Sequence, residues 1–523
     1  MTDIAATGAI SRGGEARHMT VAIVGALLTF AVFVAVAMWM NDGVFEYPLD
    51  DVYIHLAMSE QIANGGYGVN AGEFASAASS PIYPIFLLPF VGEEVQRWLP
   101  LFWNVVALVA SAALVGWALA RAELGRAGLV MAFVTAFALN MYIVAYSGME
   151  NMAHGAASLA IVVGLWRFAE TGRVGALLIF GVFLAPALRL EGLALALAAG
   201  GVVFLQGRPV AGLALGALAV LPVAVFVALL TSLGLDPLPN SVNAKLPVDA
   251  SATEGFLAGI GSNIRVNATT YGGRYVIGLL VAVWVFAMML LKQDDARTKG
   301  LIGLGVAAAA VAHLGFAATG WLDRYENYLV LALFAALTLM LTQVTARLRL
   351  GLLSLALAGG VATYIAQIDN RLAGMRAIHN QQGEMSRFAK DFVRAPIAVN
   401  DLGYVAWDNP DYVLDLFGLA SQEALALRLG DAPDGWADPL ADRHGVKVAM
   451  IYDSWVGPSL GPDWTWMGDL VLTNHGWAFL GSNYVSFYAR DAAMAEALKP
   501  AIAEWERDLP EGSYFVLTRA PEQ

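Results

Sequence analysis

PLDDVYIHLAMSEQIANGGYG, residues 48–68, opens with two adjacent aspartates, Asp50 and Asp51, a few residues past an apolar run at 20–40. That run is long enough to cross the hydrocarbon of a bilayer and longer than the core of a secretory signal, so it reads as a retained first span. Arg12, Arg17 and His18 precede it. The quoted stretch therefore lies at a membrane edge. Asp51 is the expected N-cap of a helix that Gly65 and Gly66 stop. Ile54, Met58 and Ile62 share one face at helical spacing, which predicts a helix lying on the membrane surface or packed on a bundle. SSPIYPIFLLPF (79–90) follows. It is too short and too rich in proline to span, and is expected as a re-entrant or interfacial segment.

Composition agrees with a membrane setting. The 523 residues are 58% hydrophobic and 14% charged, with a mean hydropathy of +0.61. A soluble protein is about half apolar and about a quarter charged. The chain has no cysteine, which excludes disulfides and thiolate metal sites, and its net charge of -13 argues against a nucleic-acid binder. Apolar runs at 20–40, 98–120, 127–146, 151–168, 174–188, 190–206, 210–232, 274–291, 300–320, 327–343 and 350–366 predict about eleven spans. The pair 174–188 and 190–206 is best read as two short helices, because a single helix would bury Arg189 and Glu191 in lipid.

Charge orients this list. With the N-terminus inside, the inner loops hold Arg121 and Arg126, Arg167 and Arg173, Arg208, Lys292 with Arg297 and Lys299, and Arg347 with Arg349, whereas the outer loop 41–96 has no Lys or Arg. An odd number of spans then puts the chain from about 367 outside. There the apolar runs shorten to strand length, at 396–401, 412–417, 446–452, 484–490 and 514–519, with a helical pattern at 491–509. The fold class is thus an α-helical polytopic membrane domain (1–366) followed by an extracytoplasmic α/β domain (367–523).

The same topology gathers unusual polar residues on one face. YSGMEN (146–151) brings Glu150, ALRLEG (187–192) brings Arg189 and Glu191, LDPLPNSVNAKLP (235–247) brings Asn240 and Lys245, and WLDRYENY (321–328) brings Asp323, Arg324, Tyr325 and Glu326. With Asp50 and Asp51 they would line an acidic cleft containing a few cations.

In this order, the segments resemble the GT-C superfamily of membrane glycosyltransferases, and within it the branch containing mycobacterial arabinofuranosyltransferases. The resemblance is carried by DDVYI (50–54), VNAGE (69–73), SSP (79–81), SGMEN (147–151), LRLEG (188–192), LPNSVNAK (238–245), DRYENY (323–328), NDLGYVAW (400–407) and LDLFGLAS (414–421). Leu190 stands where that branch has proline. The likeness implies a polyprenyl-phosphate sugar as donor, a glycan or lipid acceptor hydroxyl, and transfer with inversion. It also implies a monomer in a bacterial inner membrane with its site on the periplasmic face.

Such transfer calls for a carboxylate to take the acceptor proton and a cation for the leaving phosphate. Asp50 or Asp51 is the expected base; family precedent leans to Asp50, and residue order alone does not rank them. Lys245 and Arg324 are the candidates for the donor phosphate. Arg189, Glu150, Glu191, Asn240, His55 and Tyr325 complete the expected substrate-binding set. A divalent cation (Mg, Mn or Ca) held by Asp50, Asp51 and Glu150 is an option, since oxygen ligands favour hard ions. Each residue also has a plainer reading: a helix cap for the aspartates, packing for His55, an ion pair between Arg189 and Glu191, a snorkelling Lys245. A transporter or lipid flippase is the alternative function, and a non-catalytic assembly or sensor protein a third. A transporter would carry ionisable groups deep inside its spans, whereas here they sit at the ends.

Overall fold

A computed structural model describes residues 12–244, 256–430, 432–473 and 478–519. Among the described residues, seven helices are long and apolar enough to cross a membrane, beginning with 13–40 and ending with Ala346–Ile365. Four shorter apolar helices, Gly125–Ala138, Ala176–Leu188, Gly192–Leu205 and Asn327–Gln343, fill the remaining predicted positions. The chain is a multi-pass membrane protein with a helical bundle and a small C-terminal sheet domain. In hydrocarbon every backbone group must be paired internally, so each apolar run becomes a helix.

Small residues let these helices approach closely. A side chain on Gly25 would collide with the Phe133 carbonyl, and one on Gly360 with that of Ala138. The predicted 127–146 span is broken. Asn140 takes a left-handed conformation at φ +59°, and a short helix Met141–Tyr146 follows. A residue with positive φ cannot continue a right-handed helix, and only Asn, Asp and Gly adopt that conformation readily. Two helices lie deepest. Asn151–Thr171 is the most enclosed of the long ones, and every residue of Asn327–Met340 is buried.

The helix predicted at the quoted stretch spans Asp51–Ala63. It does not lie on a membrane surface. All residues from Val52 to Ser59 are buried, because the helix is clamped on two sides. Val52, Tyr53 and Leu56 pack into the bundle core, while Ile54, Ala57 and Met58 join an apolar cluster shared with the C-terminal domain. The expected Asp51 cap is also revised. Asp50 occupies the cap position in helical conformation and makes no side-chain cap bond. Residues 79–90 contain one short helix, Tyr83–Phe86, and do not span.

After the last span, helix Ile368–Ile378 continues through two wider π-helical turns, His379–Gly383 and Phe388–Val393, into the sheet. The strands are β1 (Ile397–Val399), β2 (Val413–Asp415), β3 (Val448–Ile451), β4 (Thr465–Leu472), β5 (Tyr484–Ala489) and β6 (Ser513–Val516). Their order is β2-β1-β3-β5-β4-β6. The β2, β1 and β3 strands are parallel and the rest antiparallel. The sequence reading anticipates all of these but β4, whose pattern is interrupted by Gly468 and a register shift between Trp466 and Gly468.

Candidate active site

The segments bearing Asp51, Glu150, Arg189 and Arg324 meet at one end of the bundle, where the two central helices begin. Glu150 immediately precedes Asn151–Thr171, on a turn that needs glycine at 148. Gly148 has φ +73°, and a Cβ there would lie 2.6 Å from the Tyr47 ring. The Glu150 carboxylate is fully buried. Its Oε1 accepts from Arg189 Nη1 at 2.7 Å and from Ser79 Oγ at 2.9 Å. Its Oε2 lies 3.5 Å from His55 Nε2. Arg189 comes from the turn between the two short helices, and its Nη2 donates to Glu191 Oε1 at 2.8 Å.

Arg324 precedes the other central helix and is positioned by an unusual turn. Trp321, Leu322 and Asp323 have φ of +48°, +65° and +50°. Each costs about 1–3 kcal/mol in a non-glycine residue and persists only where the surroundings over-determine it. Two buried carboxyls do so. Glu326 accepts from the Gly320 amide at 2.8 Å, and Asp323 pairs with the buried Arg371. Arg324, 2% exposed, then pairs with Asp51. Both guanidiniums lie near the Tyr325 ring, at 5.0 Å for Arg324 and 5.4 Å for Arg189. Among the described residues no hydrogen-bond partner meets Arg324 Nε and Nη1 or Arg189 Nε. Buried cationic donors without acceptors are costly, so this end of the bundle is electrostatically suited to an anion.

Adjacent helical residues point about 100° apart, and the two aspartates diverge accordingly. Asp51, with its side chain 34% exposed, lines a small cleft with Ile54, His55, Ala77, Ser79, Met149, Ser241 and Leu419. Asp50 is turned to the C-terminal domain. Its Oδ2 accepts from the Gly403 amide at 2.6 Å and its Oδ1 from the Tyr404 amide at 2.8 Å. Asn240 also ties domains together. Its amide nitrogen donates to Ser76 Oγ at 3.0 Å and its Nδ2 to the Leu419 carbonyl at 3.1 Å. Lys245 lies outside the described residues.

Electrostatics separate these groups further. Burial, then repulsion from Asp401, pushes the Asp50 carboxyl well above the usual range against the pull of its two amides. Burial and the nearby Asp51 push Asp401 up to about 6. Burial acts the same way on Glu150, but Arg189 and then His55 outweigh it and hold that carboxyl below its ordinary value. Burial lowers the His55 imidazole, which favours its neutral form. Burial, with Asp323 adding repulsion, raises Glu326 to about 8.

Asp50 is taken by amides, Asp51 by Arg324 and Glu150 by Arg189. No group of three His, Asp or Glu side chains among the described residues is arranged to hold a metal ion.

Several contributors carry no role that the sequence alone marks. Ser79 stands in the SSP segment, yet nothing local to it points to Glu150. Glu46 bonds Arg97 at 2.9 Å and the Tyr404 hydroxyl at 3.0 Å, and its only signal is an acidic residue in a loop without cations. Arg371 is a basic residue past the last span, with nothing nearby in sequence to mark its partner.

Residues 373–489 match a domain of unknown function (DUF8728). No curated protein matches the chain. Two solved structures of ArnT from Cupriavidus metallidurans are remotely similar. The one bound to undecaprenyl phosphate is 11% identical, covering 91% of this chain and 98% of that one, with a TM-score of 0.46. The one in the apo state is 12% identical, covering 90% and 99%, with a TM-score of 0.40.

Proposed function

We propose that the chain is a GT-C-type glycosyltransferase. It moves a sugar from a polyprenyl-phosphate donor to a glycan or lipid hydroxyl at the outer face of a bacterial inner membrane. The observation that carries this reading is the meeting of Asp51, Glu150, Arg189 and Arg324, from four separate segments, beside one cleft at the bundle end. The order of the quoted motifs supports the superfamily, and an arabinofuranosyl donor is the first to test.

In this reading the acceptor oxygen attacks the anomeric carbon, the bond from that carbon to the phosphate oxygen breaks, and polyprenyl phosphate leaves. Asp51 takes the acceptor proton. The donor phosphate competes with Asp51 for Arg324, so donor arrival would free the carboxylate to act as base. Arg189, held by Glu150 and Glu191, supplies a second charge to the leaving group. Sites at a bundle end suit a lipid phosphate, which sits at headgroup depth. Lys245 as a further phosphate ligand rests on the sequence motif, and no step is assigned to a metal.

The test uses purified full-length protein with polyprenyl-phosphate sugars. D51N should lower turnover about 10²–10⁴-fold, the usual range for a general base, while polyprenyl-phosphate binding is kept or strengthened, because the competitor for Arg324 is gone. R324A should weaken that binding. Full turnover by D51N would overturn the assignment of the base, and tight lipid binding by R324A that of the phosphate site.

A further inference from the structure

We infer that Asp50 is a positioning residue that latches the turn at 400–404 of the C-terminal domain onto the start of the Asp51–Ala63 helix, closing one wall of the site beside Asp51. The inference rests on the transferase reading for its catalytic consequence, though not for the latch itself.

A general base needs a lone pair directed at the acceptor. Both Asp50 oxygens are already occupied, by amides that lie 353 and 354 residues away in sequence, and the residue is 6% exposed. The contact is built from both sides. A Cβ on Gly403 would collide with the Asp50 carbonyl oxygen and sit 2.8 Å from Oδ2, so glycine is what lets the turn approach. The next residue, Tyr404, stacks on Tyr53 with centroids 4.1 Å apart and planes 9° apart. Its hydroxyl reaches Glu46. The same turn carries Asp401, held by Gln382 Nε2 at 2.8 Å and the Tyr452 hydroxyl at 3.1 Å. Farther along the domain, the Asp415 carboxylate takes the amides of Phe417 and Ala420, both at 2.8 Å. That shapes the loop whose Leu419 lines the cleft with Asp51. Releasing Asp50 would therefore loosen this wall and leave the ionic groups across the cleft in place.

Two variants attack the contact from opposite sides, Asp50→Ala and Gly403→Ala, in the full-length protein. Each should speed hydrogen exchange of the segment 400–407 by about tenfold or more, the scale of losing two hydrogen bonds. Each should lower turnover by about 10–100-fold through misplacement of the wall, with polyprenyl-phosphate binding within about twofold. The double variant should be no worse than the poorer single one, because both remove one contact. D50N should fall between the parent and D50A, since Asn keeps one acceptor. Should Gly403→Ala fail to fold, Tyr404→Ala replaces it and should move exchange and turnover in the same directions. Unchanged exchange at 400–407 in D50A would overturn the latch whatever the activity. So would D50A losing turnover as completely as D51N while the 403 or 404 variant stays fully active. Exchange is read without substrate, so failure of the latch and failure of the transferase reading are told apart.

Discussion

At the bundle end, Asp51, Glu150, Arg189 and Arg324 meet through charged side chains. At the seam with the C-terminal domain, Asp50, Asn70 and Asn240 meet backbone amides and carbonyls instead. Asp50 and Asp51 are neighbours in sequence, yet one belongs to each region. Charged partners in a low-dielectric setting interact strongly and are costly to separate. Backbone partners add about 1 kcal/mol each, and many are needed to hold a domain. The bundle end is thus suited to hold and move charge, and the seam to hold shape.

The largest test of that contrast is Glu150→Gln. It leaves Arg189 with Glu191 alone in a buried setting. Removing one partner of such a pair costs about 3–5 kcal/mol, so the thermal midpoint of the detergent-solubilised protein should fall clearly. A midpoint equal to the parent's would show the ionic cluster to be energetically idle. Next comes Asn70→Ala. Asn70 Nδ2 donates to the Val413 carbonyl and its Oδ1 accepts from the Val413 amide, both at 2.9 Å. Losing both should cost about 2 kcal/mol, seen as faster exchange around β2 and little change at Glu150. A larger cost than that of Glu150→Gln would invert the comparison.

Tyr404→Phe removes one hydroxyl bond to Glu46 and keeps the stack on Tyr53, so about 1 kcal/mol or less is expected. The smallest effect is on pH dependence. Burial raises Glu60 to about 7, although its Oε2 accepts from the Asp408 amide. A carboxyl raised in the folded state favours docking while protonated. The seam should therefore loosen as pH climbs from the ordinary glutamate range through about 7, and Glu60→Gln should flatten that slope. Limited proteolysis of the C-terminal domain at pH 5 and pH 8, in parent and variant, measures it. Equal slopes would assign the pH dependence to another group.

The sequence anticipates the apolar helices, the two short helices around Arg189, the helix after the aspartates and every strand but β4. It misses local breaks that depend on distant partners. Asn140 interrupts the 127–146 run, with Arg371 Nη1 3.4 Å from its side-chain oxygen. Trp321 to Asp323 turn left-handed under the hold of Arg371 and Glu326. Of the candidate site, the joining of Arg189 to Glu191 is legible because they are two residues apart. The joining of Arg189 to Glu150 and of Arg324 to Asp51 is not, since these partners lie 39 and 273 positions apart.

The amino-acid order by itself determined the membrane class, the span positions and the grouping of polar loops, because bilayer thickness and the need to pair every backbone group leave a helix no alternative. Only tertiary structure decided which aspartate faces the cleft and which holds the C-terminal domain. That choice turns on amides and guanidiniums brought in from hundreds of residues away, and one helical step of rotation separates the two outcomes.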